Sequence, residues 1–157
     1  MAITKINNNS LSAVTTLPAA IATGKVLQVV VGTTSTDTTN TSATYADTNL
    51  TANITPSATS SKILAFVDQV SCFKSTNTQI GLKLFRDATE LTSVAYQLDT
   101  DDTTKQHMGL SFSFLDTPST TDERTYKTQF NNQQANGSVH VQKNGASTIT
   151  LMEIAGW

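Results

Sequence analysis

Apolar and polar residues alternate along most of the chain beyond residue 24, as they do in β-strands with one buried face. The clearest case is residues 110–114, where Leu110, Phe112 and Phe114 alternate with two serines. Successive side chains of a strand point to opposite faces of its sheet, so this period of two predicts a half-buried strand. Turn residues separate about ten such segments, which is typical of an antiparallel β-sandwich. We therefore predict an all-β, jelly-roll-like domain over residues 25–157.

The individual strands follow from the apolar runs and the turn signals between them. Asn136-Gly137 is a strong turn signal, and Pro56 ends a strand because it has no N–H to donate. Polar loops are expected at residues 32–42 and 97–105, where hydroxyl and acidic residues replace the apolar ones. The predicted strands are residues 25–31, 43–47, 50–54, 61–73, 78–86, 89–96, 110–114, 126–130, 139–141 and 148–155.

Two of these strands are apolar on both faces. In residues 61–73, the even positions 64, 66 and 70 and the odd positions 63, 65 and 67 all carry apolar residues, and residues 148–155 are similar. Such a strand needs a cover on both faces, and the chain contains no convincing helix to provide the second one. We therefore predict that a second subunit covers it in a homotrimer. The predicted interface residues are Ile63, Ala65, Val67, Ile149 and Leu151.

The first 24 residues have no sustained period of two and form a separate kind of sequence. They contain three consecutive asparagines and six scattered large aliphatic residues. A frayed terminus has no need of so many aliphatic side chains, so we predict an extended arm that attaches the domain to a larger assembly. The residues expected to make this attachment are Ile3, Ile6, Leu11, Val14, Leu17 and Ile21.

The composition favours strands and argues against nucleic acid as a partner. Charged residues make up only 14% of the chain, and 29 threonines and 15 serines fill the deficit. Threonine is β-branched and favours strands, whereas serine favours turns. The net charge is −2 and there is no run of Lys or Arg, which argues against nucleic acid as a partner. No apolar run is long enough for a transmembrane helix, so membrane insertion is not expected.

Candidate chemistry is sparse. The sequence contains no recognisable nucleophile, metal-binding or nucleotide-binding motif, and its two histidines, His107 and His140, lie in unrelated segments. Cys72 lies in an apolar strand, which predicts a buried thiol. We therefore expect no enzymatic activity and no cofactor. Asp99, Asp101 and Asp102 could offer oxygen ligands to calcium, but they lack the spacing of a calcium loop, so a solvated acidic tip is favoured.

Several segments resemble a family of small, tail-fibre-like virion proteins of tailed phages that are abundant in marine phage sequences. They are GKVLQVV at residues 24–30, LTANITPSATSSKILAFV at 50–67, SFSFLDTPSTTDERTYKTQF at 111–130, ANGSVHVQ at 135–142 and STITLMEIAGW at 147–157. The resemblance covers most of residues 24–156, and ITPSATSSKIL and TITLMEIAG are its most specific parts. The compact trimeric jelly roll of the tumour-necrosis-factor and complement-head type is a structural analogy for the expected assembly.

The resemblance implies a component of the phage particle and supplies no catalytic residue. The expected function is that of a non-enzymatic, trimeric capsid decoration or short head-fibre protein, assembled in the host cytoplasm and placed on the virion surface. Its partners would be its own copies and, through the arm, capsid or tail proteins; a host surface glycan is left open as a further partner. The alternatives are a tail-fibre or receptor-binding tip and, in a different class, a carbohydrate-binding β-sandwich.

Overall fold

The computed structural model describes residues 26–98 and 105–156, together with the side chains of all these residues except 95–98. The described residues form ten strands and no helix, which confirms the all-β prediction. The strands are β1 (Val26–Thr34), β2 (Thr38–Asn40), β3 (Ala46–Ile54), β4 (Lys62–Lys74), β5 (Ile80–Arg86), β6 (Thr89–Leu98), β7 (Gln106–Asp116), β8 (Arg124–Asn132), β9 (Val139–Val141) and β10 (Ser147–Ile154).

The strands pair in a nested antiparallel pattern. The outermost pair is β1 with β10, followed inward by β3 with β8, β4 with β7, and β5 with β6. Pairing of β10 with β4 and of β8 with β5 completes two sheets. Sheet A contains β1, β2, β4, β7, β9 and β10, and sheet B contains β3, β5, β6 and β8. Nested pairing across two packed antiparallel sheets is the topology of a jelly roll, as predicted.

Sheet A has six strands but only four strand positions, because two of its strands are interrupted. β2 continues β1, and β9 continues β10 along the same edge of β4. The break between β9 and β10 contains Gln142 with φ +55°, opposite a bulge in β4 where Ser71 has φ +50°. Backbone hydrogen bonds from Gln142 N to Val70 O and from Lys143 N to Ser71 O hold the two irregular segments together.

Two sequence predictions of strand boundaries need correction. The polar segment 32–42 is not one loop, since β1 extends to Thr34 and β2 occupies 38–40. Its β-branched threonines favour extended backbone, and the partner strands supply the hydrogen bonds. The predicted strand 43–47 is wrong for residues 43–45, and its last two residues join the predicted strand 50–54 in the single strand β3, which continues through an irregularity at Asn49, where φ is +65°.

The core between the sheets has two apolar clusters with a polar layer between them. Along β4, Val67 belongs to the first cluster, Gln69 to the polar layer and Cys72 to the second cluster. In the polar layer, Thr128 Oγ1 donates to Gln69 Oε1 at 2.9 Å, and Gln69 Nε2 donates to Ser147 Oγ at 3.1 Å. Because buried polar atoms need partners, this chain of hydrogen bonds fixes the register of the two sheets.

The five residues predicted for a subunit interface lie in this core. Ile63, Ala65, Val67, Ile149 and Leu151 are each at most 2% exposed in the single chain, and all five belong to the first apolar cluster. Sheet B already covers them, so they are not available to another subunit, and their assignment to the interface is wrong. The opposite side chains of the same strands face outward.

Two further predictions fall on residues that the structure does not describe. They are the attachment arm at residues 1–24 and the acidic cluster at 99–102.

Candidate interaction surface

The outer face of sheet A carries apolar side chains in rows that cross all four strand positions. Cross-strand neighbours on one face of a sheet lie close enough for their side chains to touch, so each row is a continuous surface. The first row is Val29, Met152, Leu64 and Leu115, and the second is Val31, Thr150, Phe66 and Ser113. Val29, Val31, Phe66 and Leu115 are between 44 and 59% exposed. We call the surface formed by Val29, Val31, Leu64, Phe66, Leu115 and Met152 the sheet A face.

A polar row borders the sheet A face. It consists of Thr33, Thr148, Asp68 and Ser111 on successive strand positions. Ser111 Oγ donates to Asp68 Oδ1 at 2.6 Å, so the carboxylate is held within the row. A shallow depression of about 470 Å³ lies between this row and Phe66. The apolar surface therefore ends at a hydrogen-bonded polar margin.

The outer face of sheet B is polar and carries ion pairs. Lys127 Nζ and Gln129 Nε2 donate to the two oxygens of Asp47 at 2.9 and 2.7 Å, and Lys83 Nζ donates to Glu90 at 2.7 Å. Burial opposes ionisation of Asp47, but the hydrogen bonds and the charge of Lys127 outweigh it and lower its pKa. Such a surface is well solvated and gives no reason for a partner to cover it.

A buried carboxylate fixes β1 against the rest of sheet A. Glu153, on the inner side of β10, accepts hydrogen bonds from Gln28 Nε2 at 2.6 Å and from Ser57 N and Oγ at 2.7 and 2.6 Å. Burial alone would raise the pKa of Glu153, but these hydrogen bonds lower it to about 2. The first strand and the 55–61 turn are thereby held to one anionic group.

Both histidines lie in one row at the far end of sheet A. His107 and His140 flank Phe73 on neighbouring strands, with ring centroids 4.8 and 5.4 Å from the Phe73 ring. His140 Nδ1 is 2.8 Å from Asp37 Oδ1, and its Nε2 is 3.3 Å from Ser138 Oγ. Local sequence patterns do not reveal this group, because Asp37 and His140 lie 103 residues apart.

The Ser138–His140–Asp37 chain has the order of a serine hydrolase triad, but the backbone N–H of its serine is already hydrogen-bonded. The Ser138 backbone N–H, which could stabilise an oxyanion, donates instead to Ser75 Oγ at 2.8 Å, and Ser138 Oγ donates to the same oxygen. His140 also contacts Thr39 Oγ1 of β2 at 3.0 Å. We therefore assign the group to holding β2 against β9, where sheet A is interrupted.

The single cysteine is buried, as predicted. Cys72 is 0% exposed in the second apolar cluster, and burial raises the pKa of its thiol to about 12. Within the described part of the chain, no group of three His, Cys, Asp or Glu side chains is placed to hold a metal ion. The described residues also contain no helix with the length and hydropathy needed to cross a membrane.

No protein-family model matches this chain, and no curated protein is significantly similar to it.

Proposed function

We propose that the protein is a non-enzymatic structural component of a phage virion, where it forms a homotrimer on the particle surface as a decoration or short head-fibre protein. The observation that carries this proposal is the contrast between an apolar outer face on sheet A and a polar outer face on sheet B. The sheet A face holds four of the six most exposed large apolar side chains of the described residues, and the main exposed apolar patch of a protein is often functional. The sheet A face is therefore the proposed surface of contact between subunits.

The assignment to a virion is supported by the sequence resemblance and, more weakly, by the jelly-roll fold. The sequence segments that resemble phage virion proteins lie on β1, β3, β4, β7, β8, β9 and β10, which together form most of the sandwich. Jelly rolls are common in viral capsid proteins, but the fold also occurs in lectins and enzymes. Because a fold does not determine a function, the resemblance and the apolar face carry more weight than the topology.

The proposal includes an attachment role for residues 1–24. β1 begins at Val26, at one edge of sheet A, beside the proposed subunit interface. We propose that the segment before it reaches a neighbouring virion protein. Its six aliphatic side chains would supply the apolar contacts.

The experiment is to locate the protein in purified particles of the phage that encodes it. Electron microscopy should show threefold density on the outside of the capsid, and mass spectrometry should find the chain in the particles. Density at the tail tip would favour the receptor-binding alternative, and absence from particles would contradict the proposal. A variant without residues 1–24 should fold but fail to rebind particles that lack the protein, while the full chain rebinds.

A further inference from the structure

β1 exposes more apolar surface than any other described strand. Of the six large apolar side chains that are most exposed in the described chain, four belong to β1: Val26, Leu27, Val29 and Val31. β1 is also an edge strand of sheet A. Along its outer edge, the backbone N–H and C=O groups face no partner strand among the described residues. Proteins usually protect such an edge with charge, proline or a covering segment, because an apolar edge associates with other chains.

Exposed apolar side chains at the start of β1 extend the apolar surface beyond the sheet A face. Val26 pairs with Ile154 and Gln28 with Glu153, which makes Leu27 the extra residue of a β-bulge. Leu27 is therefore out of register with the rows, yet it is 49% exposed. A flat contact over the sheet A face would leave Leu27 in water.

The area of the sheet A face also indicates that a subunit contact must extend beyond this face. Four strand positions span roughly 19 Å, and the two apolar rows extend over about 13 Å of β4, which gives a projected area of about 250 Å². Each partner in a standard protein–protein interface contributes about 800 Å². A face-to-face contact through these rows alone would be small, so the β1 edge has to add to it.

We infer that the β1 edge of one copy packs across the Phe66 and Leu115 side of the sheet A face of the next copy. This inference rests on the proposed homotrimer and specifies how its subunits meet. The two contact regions are different parts of the molecule, so the interface is heterologous, and in the proposed homotrimer three such contacts close into a ring. None of the residues in the two apolar rows is charged, and the charged residues on this face, Lys62 and Asp68, lie in the rows that border them.

Cross-linking tests this arrangement in the full chain. Leu27 and Leu115 lie on opposite edge strands of sheet A, about 14 Å apart across three strand spacings. A bismaleimide shorter than this distance cannot join them within one chain. The variant L27C/L115C should give covalent trimers on a denaturing gel, whereas L27C and L115C alone should stay monomeric. The unmodified protein is the control, because its buried Cys72 should not react.

Each other outcome overturns a different part of the inference. Dimers from L27C alone would place equivalent edges together across a twofold axis. A double variant that is trimeric by light scattering but does not cross-link would leave the trimer intact and reject the pairing of the β1 edge with the next face. A monomer would reject both. If Leu27→Cys is protected in a monomer and becomes reactive when residues 1–24 are removed, the chain's own N-terminal segment covers the edge.

Discussion

The outer faces of the two sheets differ far more than their inner faces do. Inside, both sheets contribute aliphatic side chains to the same core. Outside, sheet B presents Lys127, Asp47 and Gln129 in a hydrogen-bonded polar network, whereas sheet A presents Val31, Phe66 and their apolar neighbours. Folding of one chain accounts for the inner residues of both sheets but not for the apolar outer face of sheet A. The proposed association between subunits rests on that face.

The largest expected effect comes from charging the inner side of β4. Val67→Asp would bury an unpaired carboxylate at a site that is 2% exposed, which no stable domain of this size tolerates well. We expect the variant to lose its cooperative thermal transition and its strand spectrum in circular dichroism. A folded but monomeric Val67→Asp protein would contradict the structure and restore the interface predicted from sequence.

Phe66, the neighbour of Val67, provides the matched test of the outer side of β4. Phe66→Asp should remain folded, because the side chain is already 44% exposed, but its subunits should associate at least about 30-fold more weakly, as expected for loss of an interface hot spot. Thr51→Asp, on the exposed face of sheet B opposite Lys127, is the control and should associate normally. Equal association of the two variants would remove the distinction between the faces. Sedimentation across a concentration series measures the strength of subunit association.

Loss of the Glu153 carboxylate should have a moderate effect that depends on pH. Glu153→Gln removes acceptors used by Ser57 and Gln28 and should lower the free energy of unfolding by about 2 kcal/mol at neutral pH. The folded pKa lies below the ordinary value of 4.5, so the carboxylate contributes fully above pH 4.5 and its contribution is lost as the pH falls toward about 2. The difference between wild type and variant should therefore shrink over this range.

Denaturant unfolding at several pH values measures that difference. Glu90→Gln is the matched control, because Glu90 is an exposed partner of Lys83 on sheet B and should change stability little. A difference between wild type and Glu153→Gln that stays constant from pH 5 to about pH 2 would mean that the charge of Glu153 contributes nothing.

The smallest expected effect is on the polar face. Lys127→Ala removes an exposed ion pair with Asp47 and should cost less than about 1 kcal/mol, with a smaller difference at high salt. The mass of the assembled protein should stay the same, since this face has no role in association. A change of mass would show that sheet B also contacts a partner.

The sequence was sufficient for the fold class because alternation and turn residues act locally. The segment 110–114 needed no tertiary information and lies in β7 as expected, whereas the turn signal at Asn136-Gly137 lies in the connection between β8 and β9, which belong to different sheets and form no hairpin. The long polar segment at 32–42 was harder to interpret, because its strands form only where β9 and β10 provide partners. Whether a polar segment forms a strand depends on its pairing with distant segments, and composition does not reveal that pairing.

The same limit explains the misplaced interface. Alternation showed that β4 has two apolar sides, but parity cannot say which side meets sheet B. The odd positions, such as Ile63 and Val67, face the core, and the even position Phe66 faces outward. Nor could local patterns find the buried Gln69–Thr128 hydrogen bond or the His140–Asp37 pair, since each joins residues distant in sequence.

The mass of the unmodified protein in solution tests the central claim most directly. If the sheet A face is buried between copies, light scattering at micromolar concentration should give a mass near three times the 16.8 kDa of one chain. A mass near 16.8 kDa would mean that the apolar face is not a subunit interface, and would contradict the account.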